Sequence, residues 1–387
     1  MNKLNRIRFV IILSISISFF AKGQGVNPGT LLGQDTLNRN ITTALPFLTI
    51  TPDSRAAGMG DAGVATSADG NSAYWNSGKL AFIEKGSGVS LSYTPWLGKI
   101  INDMKVLYLS GFYKISREQT VAASLKYFDM GQIEFRDGNN QPLGRFNPRE
   151  FAFDVTYSRL LTEHLGVGTS LRYIHSNLTG ALTGGSDAQA ASSVAVDLGV
   201  FYTKPFESRN ASLSLGASIT NIGAKVSYTS ASTADFIPTN LRIGGAYKTD
   251  LDALNSLTFA LDLNKLMVPS PGPGSKTQPL LSGIFGSFSD ARGGFSEEIR
   301  EITISSGIEY LYNQTFAGRV GYFFEATDKG NRKYLTAGVG LKLENFGFDV
   351  AYLVPTNGRE SALAETIRFT LMYTFPTKQK VEESVTD

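Results

Sequence analysis

The chain is made of segments of roughly ten residues in which apolar side chains alternate with small or polar ones. Period-two alternation is the spacing of a β-strand with two unlike faces. A closed barrel of such strands pairs every backbone group internally, so it crosses a bilayer without any long apolar run. The pattern is plainest in Ile367-Arg368-Phe369-Thr370-Leu371-Met372-Tyr373-Thr374-Phe375, whose apolar and aromatic face ends in phenylalanine as outer-membrane assembly signals do. It recurs at Val89, Leu91 and Tyr93, and over residues 151–157, 165–173, 194–202, 213–219, 241–247, 257–263, 302–310, 316–324, 335–343 and 346–354. Two less regular stretches, 104–115 and 121–128, bring the count to about fourteen, an even number as in bacterial single-chain barrels. The expected fold is all-β, a transmembrane outer-membrane β-barrel of about 14 antiparallel strands over residues 86–375.

The connections follow the asymmetry of such barrels, with short periplasmic turns and longer outer loops. Short turns are expected at 116–118, 162–164, 205–209, 250–255, 312–315 and near Asn345. Longer loops fall between them at 95–103, 130–149, 177–191, 223–238, 264–300, 326–333 and 355–364. Even parity places both ends of the barrel, and hence the termini, on the periplasmic side. Pro376 cannot continue strand pairing, so 376–387 reads as a periplasmic tail.

At the other end, Lys3, Arg6 and Arg8 precede an apolar run over 9–20 and small residues around Ala21-Lys22-Gly23. That reads as a secretory signal peptide over 1–23, since about a dozen apolar residues fall short of the roughly twenty that span a bilayer. A flexible segment, 24–39, follows. Removing Lys3, Arg6, Arg8 and Lys22 takes the formal charge from +2 to −2, which leaves no basic footprint for nucleic acid. Twenty-five Phe and sixteen Tyr suit a lipid-facing surface with interfacial girdles, and the absence of cysteine excludes disulfides and thiolate metal sites.

If the apolar face points outward, Lys126, Asp154, Arg172, Asp197, Arg242, Asp262, Glu309, Arg319, Lys342, Asp349 and Arg368 point into the lumen on successive strands, with nearly alternating sign. Opposite charges on neighbouring strands attract and hold register. The inward positions around them are mostly Gly, Ala, Ser and Thr, as in Ser212, Ser214, Gly216, Ser218, Gly338 and Gly340. Small residues leave space, and the Gly/Ala-rich stretch 40–82 is the natural filling, a plug or hatch whose wall contacts would include Arg55, Asp61, Trp75 and Asn76. An open polar channel is the alternative.

Within that stretch, Gly58-Met59-Gly60-Asp61-Ala62-Gly63 matches the dinucleotide fingerprint literally, but Thr51-Pro52-Asp53-Ser54-Arg55 precedes it where the mechanism needs a buried strand. Its glycines suit tight backbone packing instead. Two histidines, His164 in a turn and His175 near a strand end, form no metal cluster or triad, although a hydrolase pairing His175 with a nearby serine is conceivable. No cofactor or enzymatic activity is expected.

The stretches Ile41-Thr42-Thr43-Ala44-Leu45-Pro46-Phe47-Leu48, Pro52-Asp53-Ser54-Arg55-Ala56-Ala57-Gly58-Met59-Gly60-Asp61-Ala62-Gly63-Val64-Ala65-Thr66 and Trp75-Asn76 closely resemble the PorV family of type IX secretion. Length, leader, strand count and final strand agree with it. The wider relatives are FadL-like hydrocarbon transporters, with an N-terminal hatch and an Asn-Pro-Ala motif that here reads Asn76-Ser77-Gly78-Lys79. The resemblance implies a non-enzymatic outer-membrane component that binds the C-terminal signal domains of secreted cargo, associates with the large translocon barrel, and delivers cargo to a PorU-like sortase. A FadL-like transporter of hydrophobic small molecules is the second reading.

Partner contact is expected on the outer loops. The longest, 264–300, carries Leu280, Leu281, Ile284, Phe285 and Phe288 at helical spacing after a Pro/Gly run. Such a helix either offers its apolar face to cargo or folds over the barrel mouth. The loop 130–149 reads as a protruding hairpin, with Ile133 and Phe135 before the turn Asp137-Gly138-Asn139, and Leu143 and Phe146 after it.

Overall fold

The computed structural model describes residues 39–97, 103–178, 188–356 and 366–376. The expected signal peptide, most of the segment 24–39, the tail after Pro376 and parts of three long loops lie outside the described residues. The strands are β1 (Ser87–Pro95), β2 (Lys105–Lys114), β3 (Gln119–Asp129), β4 (Ile133–Arg136), β5 (Pro142–Phe146), β6 (Arg149–Leu160), β7 (Leu165–Asn177) and β8 (Ala191–Phe206). They continue with β9 (Ala211–Gly223), β10 (Asn240–Asp250), β11 (Asn255–Leu266), β12 (Ile302–Tyr312), β13 (Phe316–Phe324), β14 (Lys333–Leu343), β15 (Phe346–Pro355) and β16 (Ile367–Phe375).

Fourteen of these close into one antiparallel barrel, and β4 with β5 forms a separate hairpin in the loop after β3. Closure runs from Ser87 opposite Phe375 to Tyr93 opposite Phe369, so the aromatic face of the last strand meets the first. The alternation becomes burial directly: in β6, Phe153, Val155 and Tyr157 are exposed while Ala152, Asp154, Thr156 and Ser158 are buried. Val339 at 64 % and Leu171 at 59 % exposure belong to an apolar band around the whole barrel, a surface made for hydrocarbon. None of the described helices is long and apolar enough to cross a membrane.

Two parts of the interior depart from the expected lining of small and charged residues. Val106, Tyr108 and Phe112 in β2, Phe128 in β3, Ile174 in β7 and Phe201 in β8 are buried, and Phe323 of β13 stacks on Tyr334 of β14. With Leu107, Leu109 and Tyr113 turned outward, β2 is apolar on both faces, and its alternation is blurred for that reason.

The N-terminal segment lies inside the barrel as short helical turns, Pro46–Thr49, Ser54–Gly58, Ser72–Trp75 and Ser77–Phe82. Its start is at the long-loop end, where Arg39 pairs with Glu297 at 3.7 Å and Ala44 N–H donates to Phe236 O at 2.8 Å. Its finish is near the short turns, where the Phe82 and Phe201 rings meet and Ile83 O accepts from Lys114 Nζ at 2.7 Å. The segment therefore runs the length of the lumen. Phe375 sits at the short-turn end as parity requires, whereas Arg39 sits at the opposite end.

Candidate functional site

The inward glycines are the places where the segment's backbone touches the wall. A side chain at Gly321 would put Cβ 2.1 Å from Gly60 N, and at Gly168 it would lie 2.4 Å from the Ser77 carbonyl carbon. At Gly199 it would meet Asn76 Oδ1 at 2.3 Å. Only hydrogen fits at these positions. Gly60 and Asp61, both with positive φ, turn the chain against β12–β14, and Gly60 N–H donates to Thr336 Oγ1 at 2.9 Å. The fingerprint-like glycines thus end a short helix and make a turn, with no strand before them among the described residues.

The lumenal charges fall into three groups. Two wall networks hold register: Arg172 bonds both Asp154 and Asp197, the latter at 2.8 Å, and Arg319 bonds Glu309 at 2.7 Å and Asp349 at 2.5 Å. A second group binds the segment. Asp262 Oδ2 accepts from Gly63 N–H at 2.7 Å and Val64 N–H at 2.8 Å, Lys126 Nζ donates to Leu48 O and Ile50 O, and Arg368 pairs with Asp61 at 3.3 Å. Arg242 donates to Tyr74 O at 3.1 Å and lies over the Tyr74 and Trp75 rings. Lys342 stands alone as the third case: it has the inward parity but sits on the exposed end of β14, past the segment.

Of the four residues expected to join plug to wall, Arg55 forks onto Glu309 at 2.8 and 3.0 Å and also holds Asp69 at 2.9 Å. Asp61 accepts from Tyr334 Oη at 2.5 Å, and Asn76 Nδ2 donates to Val200 O at 2.9 Å. Trp75 differs, because its indole N–H donates to Asp53 at 2.7 Å within the segment. Its backbone O, accepting from Ser218 Oγ at 2.9 Å, makes the wall contact. Asn76 Oδ1 also accepts from Gly78 N–H at 3.0 Å, capping the turn in which Ser77 and Gly78 replace Pro and Ala. Lys79, buried with Nζ donating to Gly63 O at 2.6 Å, was invisible in the sequence because it reads as an ordinary surface lysine.

At the long-loop end, the 264–300 loop contains the helices Leu280–Gly286 and Phe295–Arg300. Ile284 is buried, so it anchors the first helix and is not part of a partner surface; Leu280 is half-buried. Leu281 at 61 %, Phe285 at 67 % and Phe288 at 44 % are exposed, and Phe295 at 79 % with Ile299 at 52 % extend the apolar exposure onto the second helix. Those last two were missed because only one turn separates them inside an acidic stretch. In the hairpin, Ile133 is exposed, while Phe135 and Phe146 are half-buried with rings 6.5 Å apart.

An ion network fastens this loop to the barrel. Lys329 Nζ donates to Glu297 at 2.7 Å and Glu301 at 2.8 Å, and Lys265 Nζ to Glu301 at 2.6 Å and Glu298 at 3.1 Å. Burial pushes the Glu297 and Glu301 carboxyls upward, but hydrogen bonds from the lysines, Gly293 N–H and Ser270 Oγ, together with the lysine charges, outweigh it and hold both below the ordinary range. Burial likewise depresses Lys329, and its two glutamate partners reverse that and raise it.

Beneath these loops a cavity of about 460 Å³ separates the start of the N-terminal segment from β10–β14. Arg242, Glu301, Glu325, Lys329 and Arg332 reach it beside Trp75, Phe323 and Tyr334. Another apolar part of the lumen is occupied by the segment, where Leu45, Phe47 and Leu48 pack against Val106, Phe128 and Ile174. On the outer face His175 Nδ1 meets Ser192 Oγ at 3.0 Å, with no carboxylate bonded to either among the described residues. No metal-binding cluster occurs among the described residues.

A closed fourteen-stranded barrel with an apolar outer band and polar interior is an outer-membrane β-barrel protein. The chain belongs to the PorV family: the model for type IX secretion system protein PorV matches residues 33–273, which take in the whole lumenal segment and the strands through β11. Among solved structures it is similar to the Ralstonia pickettii toluene transporter TbuX, at 13 % identity and TM-score 0.45 over 84 % of this chain and 98 % of that one. It is also similar to the Pseudomonas putida toluene transporter TodX, at 12 % identity and TM-score 0.47 over 82 % and 95 %. A Pseudomonas aeruginosa FadL homologue gives 11 % and 0.44 over 88 % and 100 %. No curated protein matches the chain.

Proposed function

We propose that this outer-membrane component of type IX secretion is a non-enzymatic adaptor. Its long loops bind the C-terminal signal domains of secreted cargo, receive them from the large translocon barrel, and pass them to a PorU-like sortase. In this reading the leader 1–23 is removed on export, the short turns and C-terminus face the periplasm, the long loops face outward, and lipid surrounds the strands. The segment 40–82 acts as a fixed plug.

The observation that carries the reading is the apolar exposure of Leu281, Phe285, Phe295 and Ile299 on two helices, and of Phe288 between them, held in place by Ile284 and the Lys329 network. Large apolar side chains on a fastened loop mark an interaction surface. A transporter of hydrophobic molecules would need a continuous apolar path, and Leu45, Phe47 and Leu48 fill the part of the lumen beside Val106, Phe128 and Ile174. The test is the double substitution Leu281→Ser with Phe285→Ser: cargo retained at the surface should fall while barrel assembly stays normal. Unchanged cargo release and anchoring would count against the loop's role.

A further inference from the structure

The cavity under the long loops holds a cation that differs from its neighbours. Lys329 there is paired with Glu297 and Glu301, and Arg332 with Glu325. Arg242 has no carboxylate within 4.0 Å among the described residues, although its side chain is buried and lines the cavity. Its Nη1 donates to Tyr74 O at 3.1 Å. With the Asn240 amide turned so that its oxygen faces Nε at 3.0 Å, and the Tyr74 hydroxyl taking a further N–H, two of the five guanidinium N–H donors are left over. A buried cation with no carboxylate in contact is costly, since Asp197 and Asp262 act on it only from beyond 4.0 Å, and the Tyr74 and Trp75 rings under the guanidinium fix its plane. Ser305, across the cavity on β12, adds a buried hydroxyl with no hydrogen-bond partner among the described residues.

We infer that this cavity receives the C-terminal carboxylate of an extended peptide, with Arg242 as its anion partner and Ser305 as a further donor. The inference rests on the adaptor reading and specifies where a cargo chain would end. A planar guanidinium fork matches a carboxylate. The cavity holds roughly fifteen waters, enough for a few residues of chain. Thr42 and Thr43 of the segment, Asn264 of β11 and Thr303 of β12 line it with side chains suited to main-chain amides, which a hydrocarbon tail would leave without water or partner. It lies directly under the Lys329–Gly330 loop, at the end of the barrel where cargo contact is proposed.

The test uses the full-length protein in detergent and a fluorescein-labelled mixed-sequence hexapeptide pool, with either a free C-terminal carboxylate or a C-terminal amide. Anisotropy should show the acid pool binding at least tenfold tighter than the amide pool. Arg242→Gln should abolish the preference, Arg242→Lys should restore part of it, and Ser305→Ala should weaken acid binding while the barrel keeps its heat-modifiable gel mobility. Lys342→Gln, remote from the cavity, should leave the preference intact. Equal binding of acid and amide, survival of the preference in Arg242→Gln, or saturation by laurate but not by the peptide acid would overturn the inference. Recovery of intact cargo is scored separately: if cargo binds wild type and Arg242→Gln equally, the carboxylate site falls and the adaptor stands. If cargo binds neither, the adaptor reading falls with it.

Discussion

Gly321→Val is the substitution that probes the fit of the lumenal segment most sharply. Its Cβ would lie 2.1 Å from both Gly60 N and the Met59 carbonyl carbon, where real contacts essentially never come under 3.0 Å. The obstacle is backbone on both sides, so the Met59–Gly60 turn must leave the wall. Met59 is completely buried against Ala62, Ala246 and Ala260, and losing that burial costs about 1.5–3 kcal/mol. The Gly60 bond to Thr336 contributes about 1 kcal/mol, and residual overpacking adds about 1–3 kcal/mol. The expected destabilisation of the seated segment is therefore roughly 3–7 kcal/mol. The chain has no cysteine, so Ala57→Cys, at a position only 1 % exposed, supplies a single reporter thiol. Maleimide should label position 57 slowly in the otherwise wild-type barrel and rapidly with Gly321→Val. Gly318→Ala, on the outer face with nothing within 4 Å of its Cβ, should behave as wild type. Continued protection and an unchanged melting temperature in Gly321→Val would show that the Met59–Gly60 turn is not seated against β13.

Arg55→Ala leaves Glu309 with Arg319 alone and should cost about 3–5 kcal/mol in denaturant unfolding, with a smaller loss when Glu309→Gln is added. The loop network should depend on pH. Glu297 and Glu301 are held below their ordinary value of 4.5, so their contribution is complete above that pH and fades as pH falls through the lowered folded values. Hydrogen exchange in Phe295–Arg300 should accelerate over that acid range, and Lys329→Met should flatten the response. Phe295→Ser with Ile299→Ser should change stability by no more than about 0.5 kcal/mol per site, because both side chains are exposed, yet reduce cargo recovery.

The barrel was legible because lipid on one side and lumen on the other write a period of two into nearly every strand. Legibility failed at β2, where Tyr108 and Phe112 face inward and make both faces apolar, and the reason is tertiary: the segment brings its own apolar residues to meet that side of the wall. The lumenal charges were readable as a set, since inward parity is shared by Asp154, Arg172 and Glu309. Their division into wall pairs and segment anchors was not, because Asp262 meets backbone N–H groups and Lys126 meets carbonyls, which leave no mark in sequence. Lys342 shows the limit of parity, which gives the face of a strand but not the depth at which the filling stops. The loop helix was visible from its spacing, whereas the burial of Ile284 belongs to tertiary packing, and at the neighbouring Gly283 it is Phe236 and Pro269 that crowd the helix.

Isolation of the tagged full-length protein from detergent-solubilised outer membranes, with identification of whatever remains bound, tests the adaptor claim most directly. Proteins carrying C-terminal secretion domains should be recovered, together with a very large barrel. Recovery of bound lipid or hydrocarbon alone, with neither class of protein, would contradict it.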